Sequence, residues 1–202
     1  MTQKLILGVF LMASVSSFAA TPSSELETTF VKEVGTTTQD RTPFYLNNFK
    51  MREHRKVGVA LGLGGSLGIY GVQLELNLDD ENAVLVGLGK GPSYNSFHVQ
   101  WKHSFEGQYF TPYFSTGYSR WYNSEIKNID NSSYVLQTVL DQETRERGPF
   151  GVDFIVGSAG LQFNQLDGEW IGAGFYFEFT ALGSLQKTTL IPSGSVGALY
   201  YF

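Results

Sequence analysis

Residues 196–202 read VGALYYF and are the most informative segment of the chain. Successive side chains of a β-strand point to opposite faces, so Val196, Ala198, Tyr200 and Phe202 share one face of a predicted strand. This strand closes the chain with an aromatic residue and has a second aromatic residue two positions earlier on the same face. We interpret it as a strand with one apolar face, and the preceding segments indicate what that face meets.

The segment 170–181 has the clearest alternation in the chain. One predicted face carries Ile171, Ala173, Phe175, Phe177 and Phe179, and the other carries Gly172, Gly174, Tyr176, Glu178 and Thr180. In a soluble, lipocalin-like barrel the phenylalanines would have to fill a narrow interior while glycines covered the outside. The pattern instead favours a membrane barrel, in which apolar residues face lipid and polar residues face the lumen.

Period-two alternation recurs upstream and predicts an all-β fold, an up-and-down antiparallel transmembrane β-barrel of eight strands. The predicted strands are 57–64, 68–78, 83–90, 97–102, 109–122, 150–163, 170–181 and 194–202. In the sixth, we expect Phe150, Val152, Phe154 and Val156 to face outward and Asp153 inward, with a β-bulge at 158–160.

The connections sort by side of the barrel. Short turns at 79–82, 104–108 and 164–169 lie on one side, and 92–95 and two long loops at 123–149 and 182–192 lie on the other, as in transmembrane barrels. The connection 65–67 is unusually tight. A ten-strand barrel, with added strands at 28–34 and 134–140, would put the long loops on the other side and stays open as an alternative.

The N-terminal region is predicted to lie outside the barrel. Residues 1–19 have the features of a signal peptide: Lys4, a short apolar stretch at 5–13 and small residues before a cut after Ala19. Residues 20–56, rich in Thr, Ser and Glu, are expected to form a flexible periplasmic extension. Its basic end, 50–56, would bind anionic headgroups or mark the membrane interface. The barrel domain is then 57–202.

Composition narrows the function classes. The formal net charge is −5 and the 14 Lys and Arg residues form no basic stripe, which disfavours nucleic acid as a partner. The chain has no cysteine, so disulfides are excluded. No His, Cys and carboxylate pattern has the spacing of metal ligands, and we predict neither a metal nor a cofactor.

The inward-facing polar residues predict a filled lumen. An eight-stranded barrel is just wide enough to be filled by side chains. We expect Lys102 to pair with Glu75 or Glu178. The set either holds the barrel in shape or forms a narrow ion path gated by that pair. Its members are Gln73, Glu75, Asn77, His98, Gln100, Lys102, Tyr113, Ser115, Asp153, Tyr176 and Glu178.

The long loop 123–149 is the most individual part of the sequence. It carries an apolar stripe on a charged background, and such stripes often mark contacts. The loop would extend a hairpin, fold as a short helix against the rim, or bind a surface ligand. The stripe consists of Tyr134, Val135, Leu136, Val139 and Leu140.

With its leader, eight alternating segments and terminal aromatic pair, the chain resembles the small bacterial outer-membrane β-barrel proteins. The resemblance covers 57–202 and implies a monomer in the bacterial outer membrane, surrounded by its lipid and lipopolysaccharide. It also implies that the barrel-assembly machinery reads the last strand, with Tyr200 and Phe202 as the signal.

Some barrels of this size act on lipid A with a His, a Ser and a carboxylate. Here His98, Ser96 and Glu178 are the candidates for such a site. Their Ser-x-His order reverses the His-x-Ser order of the deacylase-type barrels, and no second matching element is present. Catalysis therefore stays a weak alternative to a structural or surface-interaction role.

Overall fold

The structure, a computed structural model, describes residues 44–126 and 133–202. In these residues eight antiparallel strands close into an up-and-down barrel. The signal peptide predicted for 1–19 and the additional strand predicted at 28–34 lie outside the described residues. The elements are α1 (Asn48–His54), β1 (Val57–Gly64), β2 (Tyr70–Asn77), β3 (Asn82–Gly91), β4 (Tyr94–Ser104), β5 (Phe110–Asn123), α2 (Tyr134–Val139), α3 (Gln142–Arg147), β6 (Phe150–Asn164), β7 (Ala173–Ser184) and β8 (Thr189–Tyr201).

Closure joins the first strand to the last. β1 pairs with β2 on one side and with β8 on the other, where Gly58 lies opposite Tyr201. A closed sheet has no free edge at which another chain could pair. The prediction of eight strands is confirmed, and the ten-strand alternative is wrong because 134–139 is helical.

None of the helices in the described part of the chain is long and apolar enough to cross a membrane.

The barrel is apolar outside and largely polar inside. On β7, Phe175, Phe177 and Phe179 face outward, while Tyr176 and Glu178 face the lumen, as predicted. Phe179 is the extreme case, with 78% of its surface exposed. This arrangement inverts that of a soluble barrel, which buries its apolar face.

The two ends of the barrel differ, and we name them by what they carry. The terminal mouth is the end at which β1 begins and β8 ends; the loop mouth is the end that carries 124–149. The short connections predicted at the terminal mouth are present. At the loop mouth the prediction of a long loop at 182–192 is wrong, since β7 and β8 stay paired up to Ser184 and Thr189. Only the turn 185–188 joins them.

The orientation of β6 is opposite to that predicted. Val152, Phe154 and Val156 face the lumen and are buried, whereas Asp153 faces outward, 3.6 Å from Arg120 on β5. The expectation of apolar residues outside fails because the lumen near the loop mouth is itself filled by apolar side chains. Phe150 packs against the same inner cluster.

The bulge predicted at 158–160 is also absent. β5 and β6 keep one register from Phe110 opposite Phe163 to Asn123 opposite Phe150, with no extra residue on either strand. The alternation only looks blurred there because Ser158 faces inward and Ala159 outward as small residues in a regular strand.

The segment before the barrel is folded where the structure describes it. In place of a flexible end to the extension predicted for 20–56, residues 48–54 form α1, whose Asn48, Met51 and Arg52 are buried. Asn47 caps this helix, since its side-chain oxygen accepts a hydrogen bond from Lys50 N at 3.0 Å. The remainder of the extension, 20–43, lies outside the described residues.

Candidate functional site

The candidate site is the lumen, and its centre is an ion pair nearer the terminal mouth. Lys102 Nζ lies 2.9 and 3.1 Å from the two carboxylate oxygens of Glu75 and donates to Gln162 Oε1 at 2.6 Å. Tyr201 Oη donates to Glu75 Oε1 at 2.8 Å. These side chains come from β2, β4, β6 and β8, whose inward register brings them together. Both charges are buried, and each lies within hydrogen-bonding distance of the opposite charge.

Glu178 has a separate set of partners. Its carboxylate accepts hydrogen bonds from Tyr113 Oη and Ser195 Oγ, both at 2.9 Å, and from Thr180 Oγ1 at 3.3 Å. Of the two partners considered for Lys102, Glu75 is thus the one in contact. The cavity between the ion pair and Glu178 measures about 10 Å³, which is room for a single water molecule.

The connection between β1 and β2 folds into the lumen. This inner turn, Gly65–Leu67, is a single turn of 3₁₀ helix with all three residues buried. Gly65 and Gly68 have φ of 61° and 92°, a left-handed backbone that glycine adopts without strain and that reverses the chain inward. The sequence predicts the tightness of this connection but not its inward course.

Backbone carbonyls of the inner turn are held by the opposite wall. Ser66 O accepts hydrogen bonds from Ser119 Oγ at 3.1 Å and Trp121 Nε1 at 3.0 Å. Leu67 O accepts one from Ser96 Oγ at 2.6 Å. Because buried carbonyls need partners, these side chains fix the turn across the barrel.

The Ser66 side chain continues this network. Ser66 Oγ lies 2.6 Å from His98 Nδ1 and accepts a hydrogen bond from Gln100 Nε2 at 2.9 Å. Ser115 Oγ in turn donates to Gln100 Oε1 at 2.9 Å. The turn therefore closes the lumen at a second level, above the ion pair.

The terminal mouth is closed by α1. Arg52 Nε and Nη2 donate to Asn77 Oδ1 at 2.9 and 2.8 Å, and Nη2 lies 3.4 Å from Glu75 Oε1. Asn48 exchanges hydrogen bonds with the β4–β5 connection: Nδ2 donates to Phe105 O, and Oδ1 accepts from Gly107 N. Arg52 belongs to the basic segment 50–56, which is predicted to bind headgroups or mark the membrane interface, but its side chain lies inside the barrel.

An apolar cluster closes the loop mouth. Leu136, Val139 and Leu140 of the long loop are buried against inward residues of the strands. Trp121 stacks on Tyr94 with ring centroids 4.6 Å apart. Of the folds considered for the loop, the short helix against the rim is the one observed, and three members of the apolar stripe are core residues. The strand residues of the cluster are Tyr94, Trp121, Val152, Phe154, Val156, Leu182 and Ile191.

Most residues of the predicted lumen set do line the lumen. Asp153 is the exception and lies on the outer wall, for the reason given above. The predicted lumen set omits Ser119 and Trp121, which hold the inner turn. It also omits Arg52, Ser66, Gln162, Ser195 and Tyr201. Strand parity could have found Gln162, Ser195 and Tyr201, whereas nothing in the sequence marks Arg52 or Ser66 as lumen residues.

The weak catalytic alternative is not assembled. Ser96 Oγ bonds Leu67 O, and the hydroxyl beside His98 belongs to Ser66. Glu178 bonds Tyr113, Ser195 and Thr180. His98 and Ser96 are buried in the lumen, away from the outer surface on which a lipid substrate would lie.

Charged groups outside the strands tie the long loop to its neighbour. Lys187 Nζ, in the turn 185–188, donates to Asp141 Oδ1 at 2.7 Å. This hydrogen bond and the charge of Lys187 lower the pKa of the Asp141 carboxyl. No group of His, Cys, Asp and Glu able to hold a metal ion occurs in 44–126 or 133–202.

The geometry defines a class of protein: a closed antiparallel barrel of eight strands, apolar outside and filled inside, with the fold of the small outer-membrane barrels. The chain is similar to the N-terminal β-barrel domain of Pseudomonas aeruginosa OprF, with a TM-score of 0.52 and 15% identity over 72% of this chain and 96% of that domain. At this identity the likeness supports the fold alone.

A further solved structure is the Yersinia pestis outer membrane protein Ail in a phospholipid bilayer nanodisc. The TM-score is 0.39 and the identity 13%, over 73% of this chain and 99% of that one. No protein-family model matches the chain, and no curated protein matches it.

Proposed function

We propose that this protein is a barrel of the bacterial outer membrane with a sealed lumen, which holds the 124–149 loop at the cell surface in a structural or surface-interaction role. The observation that carries the proposal is the inverted polarity of the barrel combined with four successive levels of closure inside it. The terminal mouth would face the periplasm and the loop mouth the exterior.

The outer surface supports a membrane location. Large apolar side chains stand exposed around the barrel, among them Leu61, Leu88, Phe179 and Leu190. A continuous exposed apolar surface is rare on soluble monomers and is the lipid-facing band of transmembrane barrels. Rings also cluster on the outer wall near the terminal mouth, where an aromatic girdle would meet the membrane interface. They are Trp101, His103, Phe105, Phe110, Phe114, Phe163 and Phe175.

The lumen supports a structural role over conduction. An ion entering at the terminal mouth meets Arg52 of α1, then the Glu75–Lys102 pair, then the inner turn, and finally the apolar cluster under α2. Each level is held by named hydrogen bonds or by packing. We expect the folded protein to conduct no ions in a planar bilayer.

The long loop supports a role at the surface. α2 anchors it through Leu136 and Val139, while α3 has no buried residue and presents Glu143, Glu146 and Arg147 to solvent. Loops on a rigid scaffold carry function more often than the scaffold does. A surface ligand would therefore meet α3 and the exposed ring of Tyr134 rather than the whole apolar stripe.

The remaining partners follow from the proposed location. Outer-membrane lipid and lipopolysaccharide would surround the apolar band of a monomer. The barrel-assembly machinery would read Tyr200 and Phe202, which both face outward at the end of β8, with their rings 5.0 Å apart.

The location is tested by fractionating cells and running the outer-membrane fraction on a denaturing gel with and without boiling. A closed hydrogen-bonded barrel resists detergent, so we expect a heat-dependent change of migration in that fraction. Soluble periplasmic protein with no such change would contradict the proposal. Discrete conductance of the pure protein in planar bilayers would contradict the sealed lumen.

The surface role is tested with a chain that has no native cysteine. In intact cells, Glu146→Cys on α3 should react with a membrane-impermeant maleimide, whereas Glu81→Cys in the β2–β3 connection should react only after the outer membrane is permeabilised. Replacing Glu143, Glu146 and Arg147 together by Ser should then reduce aggregation of expressing cells. Unchanged aggregation at equal surface labelling would remove α3 from the proposed role.

A further inference from the structure

The segment 44–56 precedes β1 and is seated in the terminal mouth. It contacts three parts of the barrel that are distant in sequence: Tyr45 N donates to Leu166 O at 2.8 Å, Asn48 N to Gly107 O at 3.0 Å, and Arg55 Nη1 to Tyr201 O. Met51 is fully buried in the cluster that contains Tyr201. We call this segment the stopper.

The buried charges of the barrel keep their partners without the stopper, whereas the side chain of Asn77 loses its hydrogen bonds to Arg52 and Arg55 and would bond water instead. Glu75 keeps Lys102 and Tyr201, and Lys102 keeps Gln162, when Arg52 is taken away. Removing one partner of a buried ion pair is normally costly because it leaves the other charge unpaired. Here withdrawal of Arg52 leaves every charge of the strands paired.

The seated stopper, in contrast, is imperfectly satisfied. Arg52 Nη1 is buried and has no hydrogen-bond partner among the described residues. Its Nη2 lies 3.4 Å from Glu75, longer than the 2.9 Å that separates Lys102 from the same carboxylate. A buried donor without an acceptor disfavours the seated position of Arg52, because the same N–H group would bond water once the stopper withdraws.

We infer that the stopper is a detachable lid, which withdraws as one piece and opens the lower lumen to solvent while the barrel stays closed. The chain would turn at Arg55 and Lys56, because Asn77 N donates to Lys56 O where β1 begins. Opening exposes the Glu75–Lys102 pair to small solutes from the terminal mouth. The inner turn still closes the lumen above it, so the lid gives access to a chamber and not passage across the barrel.

Hydrogen exchange of the full chain, folded in detergent micelles, tests this inference. In the native protein, amides of 48–55 should exchange together and faster than amides of β1 and β8. Arg52→Gln removes the charged hydrogen bonds to Asn77, so exchange of 48–55 should accelerate by roughly tenfold or more with strand amides unchanged. Glu53→Gln is the matched control: it removes only the exposed pair with Lys50 on the same helix, and should change the exchange rate by no more than about twofold.

A second readout follows access to the lumen. Ala83 is fully buried and lies opposite Asn77, the residue that binds Arg52, whereas Val156 is fully buried in the apolar cluster that closes the loop mouth. A small thiol reagent should label Ala83→Cys faster when Arg52→Gln is added, and should label Val156→Cys at an unchanged rate. Asn48→Ala loses the hydrogen bonds to the β4–β5 connection and should have the same effects as Arg52→Gln. It replaces Arg52→Gln in both experiments if Arg52→Gln folds poorly.

Two results would overturn the inference. The first is an exchange rate of 48–55 that changes less than twofold in both Arg52→Gln and Asn48→Ala. The second is that exchange of the strand amides and labelling of Val156→Cys accelerate as much as exchange of 48–55, because this would mean global unfolding. The inference rests on the proposed function only for the statement that the terminal mouth faces the periplasm. Because these measurements need no cells, they can fail while the outer-membrane location stands, and the reverse also holds.

Discussion

Replacing Lys102 by Met tests the physical account of the lumen most directly. The substitution keeps the length of the side chain but removes the charge that lies 2.9 Å from Glu75 and the hydrogen bond to Gln162 at 2.6 Å. Glu75 is then a buried carboxylate whose remaining partners are Tyr201 at 2.8 Å and Arg52 at 3.4 Å.

The size of the effect follows from these contacts. Removing one member of a buried ion pair costs about 3–5 kcal/mol, since the other charge is left without compensation. Tyr201 and Arg52 compensate Glu75 in part, so we expect the free energy of unfolding to fall by about 3 kcal/mol, at the lower end of that range. Adding Glu75→Gln to Lys102→Met should recover about half of the loss, because no unpaired anion then remains.

The measurement is reversible urea unfolding of the barrel in phospholipid vesicles, followed by the fluorescence of its 3 Trp residues. Arg147→Met is the matched control: it breaks the pair with Glu143 on α3, in which both side chains are about three-quarters exposed, and should cost less than about 1 kcal/mol. A loss below about 1 kcal/mol for Lys102→Met, or a double variant less stable than Lys102→Met alone, would refute the reasoning.

Three further outcomes are expected. Gly89→Ala should lower thermal stability, because a Cβ there collides with the carbonyl oxygen of the inner turn, while Gly157→Ala, with open space beside it, should not. Leu136→Ala should cost about 2–4 kcal/mol and speed proteolysis of the long loop; unchanged proteolysis would contradict the anchoring role of α2. The pKa of Asp141, lowered by the hydrogen bond and charge of Lys187, should return to near its ordinary 3.8 in Lys187→Gln, measured by NMR titration. The stabilisation by the Lys187–Asp141 interaction is complete above the ordinary pKa and is lost as pH falls through the lowered pKa of the folded protein. An Asp141 pKa that is not lowered in the native protein would therefore exclude the interaction.

The candidate site was accessible to sequence reasoning only in part. Parity along β2 and β4 is enough to put Glu75, Gln100 and Lys102 on inward faces, because those strands alternate strictly. Parity cannot say which carboxylate Lys102 meets, since that depends on the stagger between strands that are not neighbours. Because parity does not give the stagger, it also cannot predict that Tyr201 donates a hydrogen bond to Glu75, although Tyr201 lies on an alternating strand.

The errors have a common physical origin. The prediction of an inward Asp153 and an outward Phe154 assumes that the inside is polar along the full height of the barrel. Near the loop mouth the inside is apolar because α2 fills it, so the same alternation has the opposite meaning. The turn 185–188 was missed for the same reason, as the inward Leu182 and Ile191 belong to that cluster.

From the sequence alone, a period of two residues predicts the strands and the contrast between Phe179 and Glu178 identifies their faces, because alternation is a local property of an extended chain. The helix α2 is what excludes the ten-strand alternative. What fills the barrel depends on contacts that form only in three dimensions. Arg52 enters from a helix before β1, Ser66 from a turn that folds inward, and Leu136 from a loop helix that packs under the rim. Each of these contacts joins segments far apart in the chain, and their partners exist only once the barrel has closed.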